Sequence, residues 1–364
     1  MRGKILNFFN IRGLYSIIYK HERYVARISL VSGFLWDMFT MGAPDRLYEN
    51  VILLGYFIIA AGGIIFLSTS FGLRKRVSDS LLAGIIQFSF GNLAGGLTVL
   101  YGKSGTFEGS ALFFILLGAF LIGNEFLKNK YERVYFNISV WYFLLLTYLA
   151  LVTPVLLNDF GDYVFFASGA ASLTIAAGFL FVLRACDKDK ISKWFGKAVV
   201  SIVTITVGFN ALYFLNIIPP VPLALRSGGV YHAVLREGEF YRVLYEDPRW
   251  YEIFKDTSAV FHRERGEGVY CLSSIFAPVG LSVPVYHRWE FYDEELGKWV
   301  TALRITFPVV GGRDSGYRGY SIKTSVWEGR WRCSVETERG ALIGRMTFQI
   351  TPRETPILFA ERIL

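Results

Sequence analysis

Apolar and polar positions divide the chain into two parts with different periods. The first part holds seven long apolar runs, most of which reach the roughly 20 residues that a helix needs to cross a bilayer core of about 30 Å. The runs lie at 25–43, 51–67, 80–102, 105–124, 134–157, 163–183 and 198–217. Asp37 interrupts the first run, and Glu108 stands near one end of the fourth. The pattern predicts a membrane α-helical bundle of seven transmembrane helices.

Beyond Leu225 the period changes to two, in short runs separated by Gly, Pro, Asp and Asn. Such runs are typical of β-strands. They lie at 230–235, 240–245, 258–262, 269–276, 285–292, 299–307, 317–324, 330–336 and 341–350. In one of them, apolar Trp331, Cys333 and Val335 alternate with polar residues, as expected of a strand with one buried face. We therefore predict an all-β, sandwich-like domain after the helices.

The two patterns divide the chain into five segments. They are an N-terminal segment 1–24, a transmembrane domain 25–217, a Pro-rich junction 218–228, a β domain 229–352 and a tail 353–364. Pro219 and Pro220 end the last helix, because proline has no backbone N–H to donate. Apolar residues recur every three or four positions in the N-terminal segment, which fits either an amphipathic helix at the cytoplasmic interface or a frayed tail.

Lys and Arg are distributed unevenly among the gaps between the apolar runs. Of the 19 within residues 1–217, 17 fall in alternate gaps or, in the case of Arg27, just inside the adjoining end of the first run. Only 2, Arg46 and Lys103, fall in the other gaps. Short loops rich in Lys and Arg stay on the cytoplasmic side of a membrane. The distribution therefore predicts a cytoplasmic N-terminus, seven crossings and an extracytoplasmic β domain. If the first or the fourth run did not cross the membrane, loops rich in Lys and Arg would lie on the same side as loops without them. We therefore predict that both runs cross.

The composition agrees with a multi-pass membrane protein. The mean hydropathy is +0.38, and 19% of the residues are charged, against about 25% in soluble domains. The net charge is +8 at pH 7, and all but one of these charges belong to residues 1–218. The excess therefore reflects topology and contact with the lipid bilayer, and it argues against binding to nucleic acid.

Polar side chains inside the apolar runs are costly in a bilayer and are therefore candidates for function. They are Asp37, Gln87, Asn92, Glu108, Asn210 and Asn216. The central runs contain no Lys, Arg or His to complete a proton relay. We therefore favour hydrogen bonds within and between helices over transport. Gly91 and Gly95 form a Gly-x-x-x-Gly spacing, which predicts close packing of two helices.

Several short motifs of the second part follow one another in a definite order. They are Val285-Tyr-His-Arg-Trp289, Gly311-Gly-Arg313, Gly316-Tyr-Arg-Gly-Tyr-Ser321, Lys323, Gly329-Arg-Trp-Arg332, and the stretch 337–348 with Gly340 and Gly344. In order and spacing they resemble the bacterial domain-of-unknown-function family 2914. The first part is similar to the multi-pass members that carry this domain at their C-terminus. The resemblance implies this architecture and a bacterial envelope location, and it supplies no catalytic residue.

The three cysteines fall on both sides of the predicted membrane. Cys186 lies in a cytoplasmic loop, whereas Cys271 and Cys333 lie in the β domain. Because the outer compartment is oxidising, one hypothesis is a disulfide between Cys271 and Cys333 on facing strands. The alternative is two buried thiols that pack as small hydrophobic side chains. The resemblance does not imply the disulfide, since the family more often has an apolar residue at the position of Cys333.

The sequence lacks the common catalytic and cofactor motifs. It has no Gly-x-Ser-x-Gly, no Walker loop and no His-Glu-x-x-His. His232, His262 and His287 are at least 25 residues apart, whereas zinc ligands usually include one short spacing. We therefore expect no metal and no cofactor, and we favour a non-enzymatic function.

Arginine and tyrosine concentrate in a stretch of the β domain. The residues are Arg313, Tyr317, Arg318, Tyr320 and Lys323. Arg and Tyr are enriched in recognition surfaces, because they combine apolar area with directed hydrogen bonds. This stretch is the predicted recognition surface, and the alternative is an ordinary solvated face.

Three classes of function fit this architecture to different degrees. The predicted cytoplasmic loops are too short to form an output domain, so a receptor would need a partner protein. A small-solute transporter or channel lacks a charged relay, and an enzyme lacks a constellation of nucleophile and base. We favour a bacterial inner-membrane protein that presents its β domain to a protein partner or an envelope ligand, with transport as the alternative.

Overall fold

The computed structural model describes most of the chain. The described residues are 22–40, 47–69, 79–104, 107–123, 130–238, 240–252, 255–313, 315–354 and 356–364. Residues 1–21 of the predicted N-terminal segment 1–24 lie outside them. The chain divides into two compact units. The helical unit comprises Met1–Leu100, Leu112–Thr153 and Asp162–Ala211, and the β unit comprises Tyr101–Ala111, Pro154–Gly161 and Leu212–Leu364.

Seven helices occur in the described part of the chain before the first strand. They are α1 Glu22–Thr40, α2 Leu47–Ser68, α3 Asp79–Lys103, α4 Phe107–Gly123, α5 Lys130–Leu157, α6 Asp162–Cys186 and α7 Lys188–Phe214. Five of them (α2, α3, α5, α6 and α7) are long and apolar enough to cross a membrane. The other two, α1 and α4, contain shorter apolar stretches, and they correspond to the interrupted first and fourth runs.

Two glycines of α3 bring its backbone against the backbone of α1. A Cβ atom added to Gly91 would collide with the carbonyl oxygen of Leu30, and one added to Gly95 would collide with that of Phe34. A side chain at either position would therefore push the helices apart. This close approach is the packing that the Gly-x-x-x-Gly spacing predicts.

Hydrogen bonds made by side chains of α5 connect it to other helices of the unit. The indole N–H of Trp141 donates to the carbonyl oxygen of Phe57 in α2, at 3.1 Å. The hydroxyls of Tyr142 and Thr206, in α5 and α7, are 2.6 Å apart. Such bonds satisfy polar groups that lipid would leave unpaired.

Two of the polar residues singled out within the helices form hydrogen bonds to the backbone of their own helices. The Asn92 amide donates to the carbonyl oxygen of Phe88 at 2.8 Å, and the Asn210 amide donates to that of Thr206 at 2.8 Å, so both bond within their own helices. Asp37 and Gln87 are buried. The side chain of Glu108 lies outside the described residues.

Eleven strands occur among the described residues between 224 and 363. They are β1 Ala224–Tyr231, β2 Ala233–Glu237, β3 Phe240–Tyr245, β4 Val260–Arg263, β5 Val269–Phe276, β6 Ser282–Asp293, β7 Lys298–Val310, β8 Tyr317–Lys323, β9 Gly329–Thr337, β10 Leu342–Pro352 and β11 Ala360–Ile363. They form a five-stranded sheet in the order β4-β10-β9-β6-β7 and two three-stranded sheets, β1-β5-β8 and β11-β3-β2. Only the β4–β10 pair among these is parallel.

The three sheets form three layers. Trp289 and Trp331 of the five-stranded sheet pack in one buried cluster with Cys271 of β5, so these two sheets face each other as in a sandwich. On the opposite side of β5, Leu272 packs in a second cluster with Val234 and Val243 of the third sheet. The β1-β5-β8 sheet is therefore the middle layer.

The strands extend beyond the limits expected from the sequence. β1 begins at Ala224, inside the segment expected to be a junction, and β11 lies in the segment expected to be a tail, where it pairs with β3. The run expected to be one strand at 230–235 is divided at His232. Up to Tyr231 the run pairs with β5, and from Ala233 onward it pairs with β3. The His232 N–H donates to the carbonyl oxygen of Leu244 at 2.8 Å.

We expect Gly91→Leu to weaken the helical unit, because the new side chain must separate α1 from α3. Such overpacking should lower the temperature of half-unfolding in detergent by about 5 °C or more. Gly62→Leu is the matched control, since a Cβ at Gly62 meets nothing within 4 Å. Size-exclusion profiles after heating measure both variants. Equal losses for the two would contradict the packing described here.

Candidate functional site

The alternation of β8 divides the predicted recognition residues between two sides. Tyr317 packs partly against the buried core, and the guanidinium of Arg313 lies 5.9 Å from the centre of its ring. Tyr320 is 41% exposed and contacts the rings of Tyr241 and Tyr270. Arg318 alternates with Tyr317, and Lys323 shares the side of Tyr317. The five residues therefore do not form one continuous surface.

A larger polar surface covers the side of the five-stranded sheet that faces away from the core. Cross-strand pairing places its arginines side by side, with Arg288 opposite Arg304 on β7 and opposite Ser334 on β9. We call this surface the arginine face. It comprises Arg288, Arg304, Arg330, Arg332 and Arg345, the carboxylates of Glu290 and Glu336, and the aromatic residues Tyr286, Tyr292 and Trp299.

Glu290 lies in the middle of the arginine face and is almost completely buried. Arg332 donates to both of its carboxylate oxygens, at 2.6 and 3.0 Å, and the Ser334 hydroxyl donates at 3.3 Å. Burial by itself raises the pKa of Glu290. The bond from Arg332 and the charges of Arg288 and Arg345 outweigh burial, and they leave the pKa below its ordinary value. The buried carboxylate is therefore ionised at neutral pH.

Glu336 is the second buried carboxylate of the arginine face. The Nε atoms of Arg304 and Arg288 each lie 3.0 Å from one of its oxygens. Burial raises the pKa of Glu336, and the charges of the two arginines offset only part of that effect. Arg304 also donates to the carbonyl oxygens of Thr337 and Glu338, so it holds the turn between β9 and β10.

Aromatic rings support three of the guanidiniums. Arg304 lies 4.0 Å from the ring centre of Tyr286, Arg332 lies 4.3 Å from that of Trp299, and Arg330 lies 3.8 Å from that of Tyr292. Stacking on a ring restrains the orientation of each guanidinium. Arg332 and Arg304 direct N–H groups to Glu290 and Glu336, whereas Arg330 is the most exposed of the three, at 48%. An exposed, stacked guanidinium such as that of Arg330 is suited to grip a carboxylate or phosphate group with two hydrogen bonds.

The disulfide lies in the core beneath the arginine face. Cys271 of β5 and Cys333 of β9 are bonded, with their Cα atoms 6.6 Å apart, so the bridge links the two facing sheets. Cys186 is exposed and free.

A buried histidine lies beside the disulfide. His287 contacts the hydroxyl of Ser273 at 2.7 Å and that of Ser321 at 2.8 Å. The Trp289 indole N–H donates to Ser321 at 2.9 Å. Burial lowers the pKa of His287 to about 3, so the ring is neutral and joins a polar network inside the core.

The other two histidines of the β domain share one carboxylate. His232 Nε2 lies 3.1 Å from Glu246 Oε1, and His262 Nδ1 lies 2.6 Å from Glu246 Oε2. The second ring nitrogen of His232 lies 2.6 Å from Glu267 Oε1. Burial raises the pKa of Glu246, but the hydrogen bonds from the two histidines outweigh it and leave the pKa below its ordinary value. The sequence did not reveal this cluster, because the loop after β3 brings distant residues together.

Among the described residues, the group of ligand-type side chains close enough to share a metal ion is Cys271, His287 and Cys333, within 4.8 Å. Two of these are joined in the disulfide, and a bridged cysteine offers no thiolate to a metal. The arrangement therefore acts as core structure, and the arginine face is the part of the β domain with the chemistry of a binding site.

The fold is that of a protein with long apolar helices followed by a C-terminal β-rich domain. Residues 283–350 match the model of DUF2914, a protein family of unknown function, so the chain carries a C-terminal DUF2914 domain. The match contains β7, β8 and β9 and most of β6 and β10, and with them every arginine of the arginine face.

The comparisons with curated proteins and with solved structures are less informative than the family match. None of the curated proteins compared with the chain matches it. Among solved structures, the chain is similar to the Pseudomonas fluorescens alkylpurine DNA glycosylase AlkC bound to DNA containing an abasic site analog. The identity is 11% and the TM-score 0.22, over 85% of this chain and 100% of that one. A TM-score this low carries no argument about fold or function.

We expect Glu290→Gln to destabilise the β domain by about 3 kcal/mol at pH 7, because it leaves the surrounding arginines without their carboxylate. The folded pKa of Glu290 lies below its unfolded value, so its stabilisation is full above about pH 4.5 and is lost as the pH falls through the folded pKa. The difference from wild type should therefore shrink under acid conditions.

Unfolding followed by tryptophan fluorescence at pH 7 and pH 4 measures this effect. Glu294→Gln is the control, because the Glu294 side chain is 79% exposed. A Glu290→Gln protein as stable as wild type at pH 7 would contradict the role assigned to this carboxylate.

Proposed function

We propose that this protein is a non-enzymatic bacterial inner-membrane protein that holds its β domain on the extracytoplasmic side, where the arginine face binds a partner or an envelope ligand. In this proposal all seven helices cross the membrane, including the shorter α1 and α4, and the N-terminus is cytoplasmic. The topology and the binding role rest on separate observations.

The composition of the β unit supports the topology. The unit contains the α3–α4 connection at Tyr101–Ala111 and the α5–α6 connection at Pro154–Gly161, together with all the strands. These two connections hold a single basic residue, Lys103. The clusters at 74–76 and 184–197 belong to the opposite set of loops. By the positive-inside rule, the loops that share a unit with the strands are the outward ones.

Contacts within the β unit attach the strands to these helix ends. Phe160 packs against the core cluster that contains Leu223 and Ile275. The Asn216 amide donates to the carbonyl oxygen of Arg339 at 3.1 Å, and the Arg339 guanidinium lies 4.4 Å from the ring centre of Tyr213 at the end of α7. These contacts hold the strands and the adjoining connections together within one unit.

The arginine face is the main observation that supports the proposed binding role. It combines guanidiniums supported by aromatic rings with side-chain exposures of 30% for Arg288, 39% for Arg304 and 48% for Arg330. Arg and aromatic residues dominate binding energy at recognition surfaces. Transport has weaker support, since Asn92 and Asn210 bond within their own helices.

A photo-crosslinking amino acid placed on the arginine face in intact cells tests the binding role. Thr301 and Thr306 are suitable positions, because both are exposed on β7 and alternate with buried or half-buried residues. We expect an ultraviolet-dependent adduct at both. Thr324, exposed at the end of β8, is the matched control.

The adduct should be absent or much weaker at Thr324. Equal crosslinking at all three positions, or none at Thr301 and Thr306, would contradict binding at the arginine face. Solute flux through the purified protein in proteoliposomes, without such adducts, would favour the transporter.

A further inference from the structure

We propose that the arginine face binds an acidic polysaccharide, through carboxylate or phosphate groups that recur along the glycan. This inference rests on the proposed function, since it takes the β domain to be a binding domain. It does not depend on which side of the membrane the domain occupies. The ligand class follows from the charge, the spacing and the exposed chemistry of the face.

Positive charge is concentrated on the arginine face. Residues 219–364 carry 19 Lys and Arg against 18 Asp and Glu, so this part of the chain is nearly neutral. On the face, the guanidiniums of Arg288, Arg304, Arg332 and Arg345 surround two buried carboxylates, Glu290 and Glu336. A third carboxylate, Glu294, reaches Arg330 at 3.5 Å from the adjoining turn. The face therefore keeps a net positive charge, which complements an anionic ligand.

The buried carboxylates fix the guanidiniums before any ligand arrives. Glu290 holds Arg332, and Glu336 holds Arg288 and Arg304, all through contacts of 2.6–3.0 Å. A binding group that is already oriented loses less side-chain entropy on binding. The exposed N–H groups of Arg288, Arg304 and Arg330 remain available to a ligand, and the more buried Arg332 serves mainly to support them.

The spacing of the arginines fits a repeating ligand. Neighbouring strands lie about 4.8 Å apart, and residues on one side of a strand recur about every 7 Å. Arg288 and Arg304 are direct cross-strand partners, and Arg330 lies on β9 four residues before Ser334, the β9 partner of Arg288. The exposed guanidiniums are thus spread over three strands, and a single small anion would engage only part of them. A chain with one anionic group per sugar or per few sugars would engage several of them.

Hydroxyl groups stand between the arginines. Thr301 and Thr306 of β7 and Thr347 of β10 are exposed on this face. Hydroxyls of this kind can exchange hydrogen bonds with sugar hydroxyls. An acidic glycan therefore matches both components of the face. Its anionic groups pair with the guanidiniums, and its hydroxyls form hydrogen bonds with the threonines.

Two other polyanions fit less well. Duplex DNA carries about one charge per 1.7 Å, which is denser than the guanidiniums of the face and brings phosphates close to Glu290 and Glu336. A membrane surface is usually met by apolar side chains that insert among the lipids. Here the rings of Tyr286, Tyr292 and Trp299 lie under guanidiniums instead.

Fluorescence anisotropy of labelled glycans with the purified full-length protein in detergent tests the proposal. The probes are oligogalacturonate, which carries carboxylates, a phosphorylated mannan oligosaccharide, and neutral dextran. We expect one or both acidic glycans to bind, more weakly at higher salt, and dextran not to bind. The stronger acidic probe identifies the preferred anion.

Two pairs of variants locate the binding. Arg330→Gln removes an exposed guanidinium stacked on a tyrosine, and Arg236→Gln, whose guanidinium lies 6.0 Å from the ring centre of Tyr241 on another sheet, is its control. Thr306→Glu adds a negative charge to the face, and Thr324→Glu adds one elsewhere. We expect Arg330→Gln and Thr306→Glu each to weaken binding about fivefold or more, and the controls to change it less than twofold.

The proposal would be overturned if neither acidic glycan binds, or if the face variants bind as well as their controls. It would also be overturned if a DNA duplex or phosphatidylglycerol vesicles bind the same face more tightly than the glycans. If crosslinking in cells captures a protein at Thr301 and Thr306 while no glycan binds, the proposed function stands and the glycan assignment falls.

Discussion

A carboxylate can remain ionised away from water only if cations and hydrogen-bond donors surround it, and the polar side of the five-stranded sheet is organised by this requirement. Glu290 and Glu336 are almost completely buried, and arginines from neighbouring strands contact each of them. The carboxylates therefore determine where the guanidiniums lie. The register of β6, β7 and β9 brings these partners together, so the same pairing that forms the sheet also forms the arginine face.

The core on the other side of that sheet keeps the pairing fixed. Trp289 and Trp331 alternate along their strands with Glu290 and Arg332, so each strand contributes to both sides. The Cys271–Cys333 disulfide and the His287 network link the five-stranded sheet to the middle sheet. A rigid scaffold of this kind keeps the arginines of the face in place.

The sequence was sufficient to predict elements with strong periodicity. The apolar runs correspond to the seven helices, and the two runs interrupted by Asp37 and Glu108 are the ones with shorter apolar stretches. Strict alternation from Arg330 to Glu336 predicted β9 and its polar side. The C-terminal family was also identified from its motifs, and residues 283–350 match its model.

Features that depend on pairing between distant strands were not predictable in the same way. β1 and β11 lack a clear alternation, and they become strands because β5 and β3 offer them free edges. The arginine face was missed because Arg288 and Arg304 contribute to it only through the register of β6 with β7. The recognition surface was predicted instead at the local concentration of Arg and Tyr around β8. The alternation of that strand places these residues on different sides of the sheet. The face could have been predicted by assigning alternate residues of 285–307 and 330–336 to the two sides of one sheet.

The proposed function requires that the arginine face is exposed outside the cytoplasm. A cysteine introduced in place of Thr301, in a protein whose Cys186 is replaced by serine, allows a direct measurement with a membrane-impermeant maleimide in intact cells with a permeabilised outer membrane. We expect rapid labelling before the inner membrane is broken and slower labelling when an acidic polysaccharide is added. Labelling only after the inner membrane is broken would place the β domain in the cytoplasm and contradict this topology.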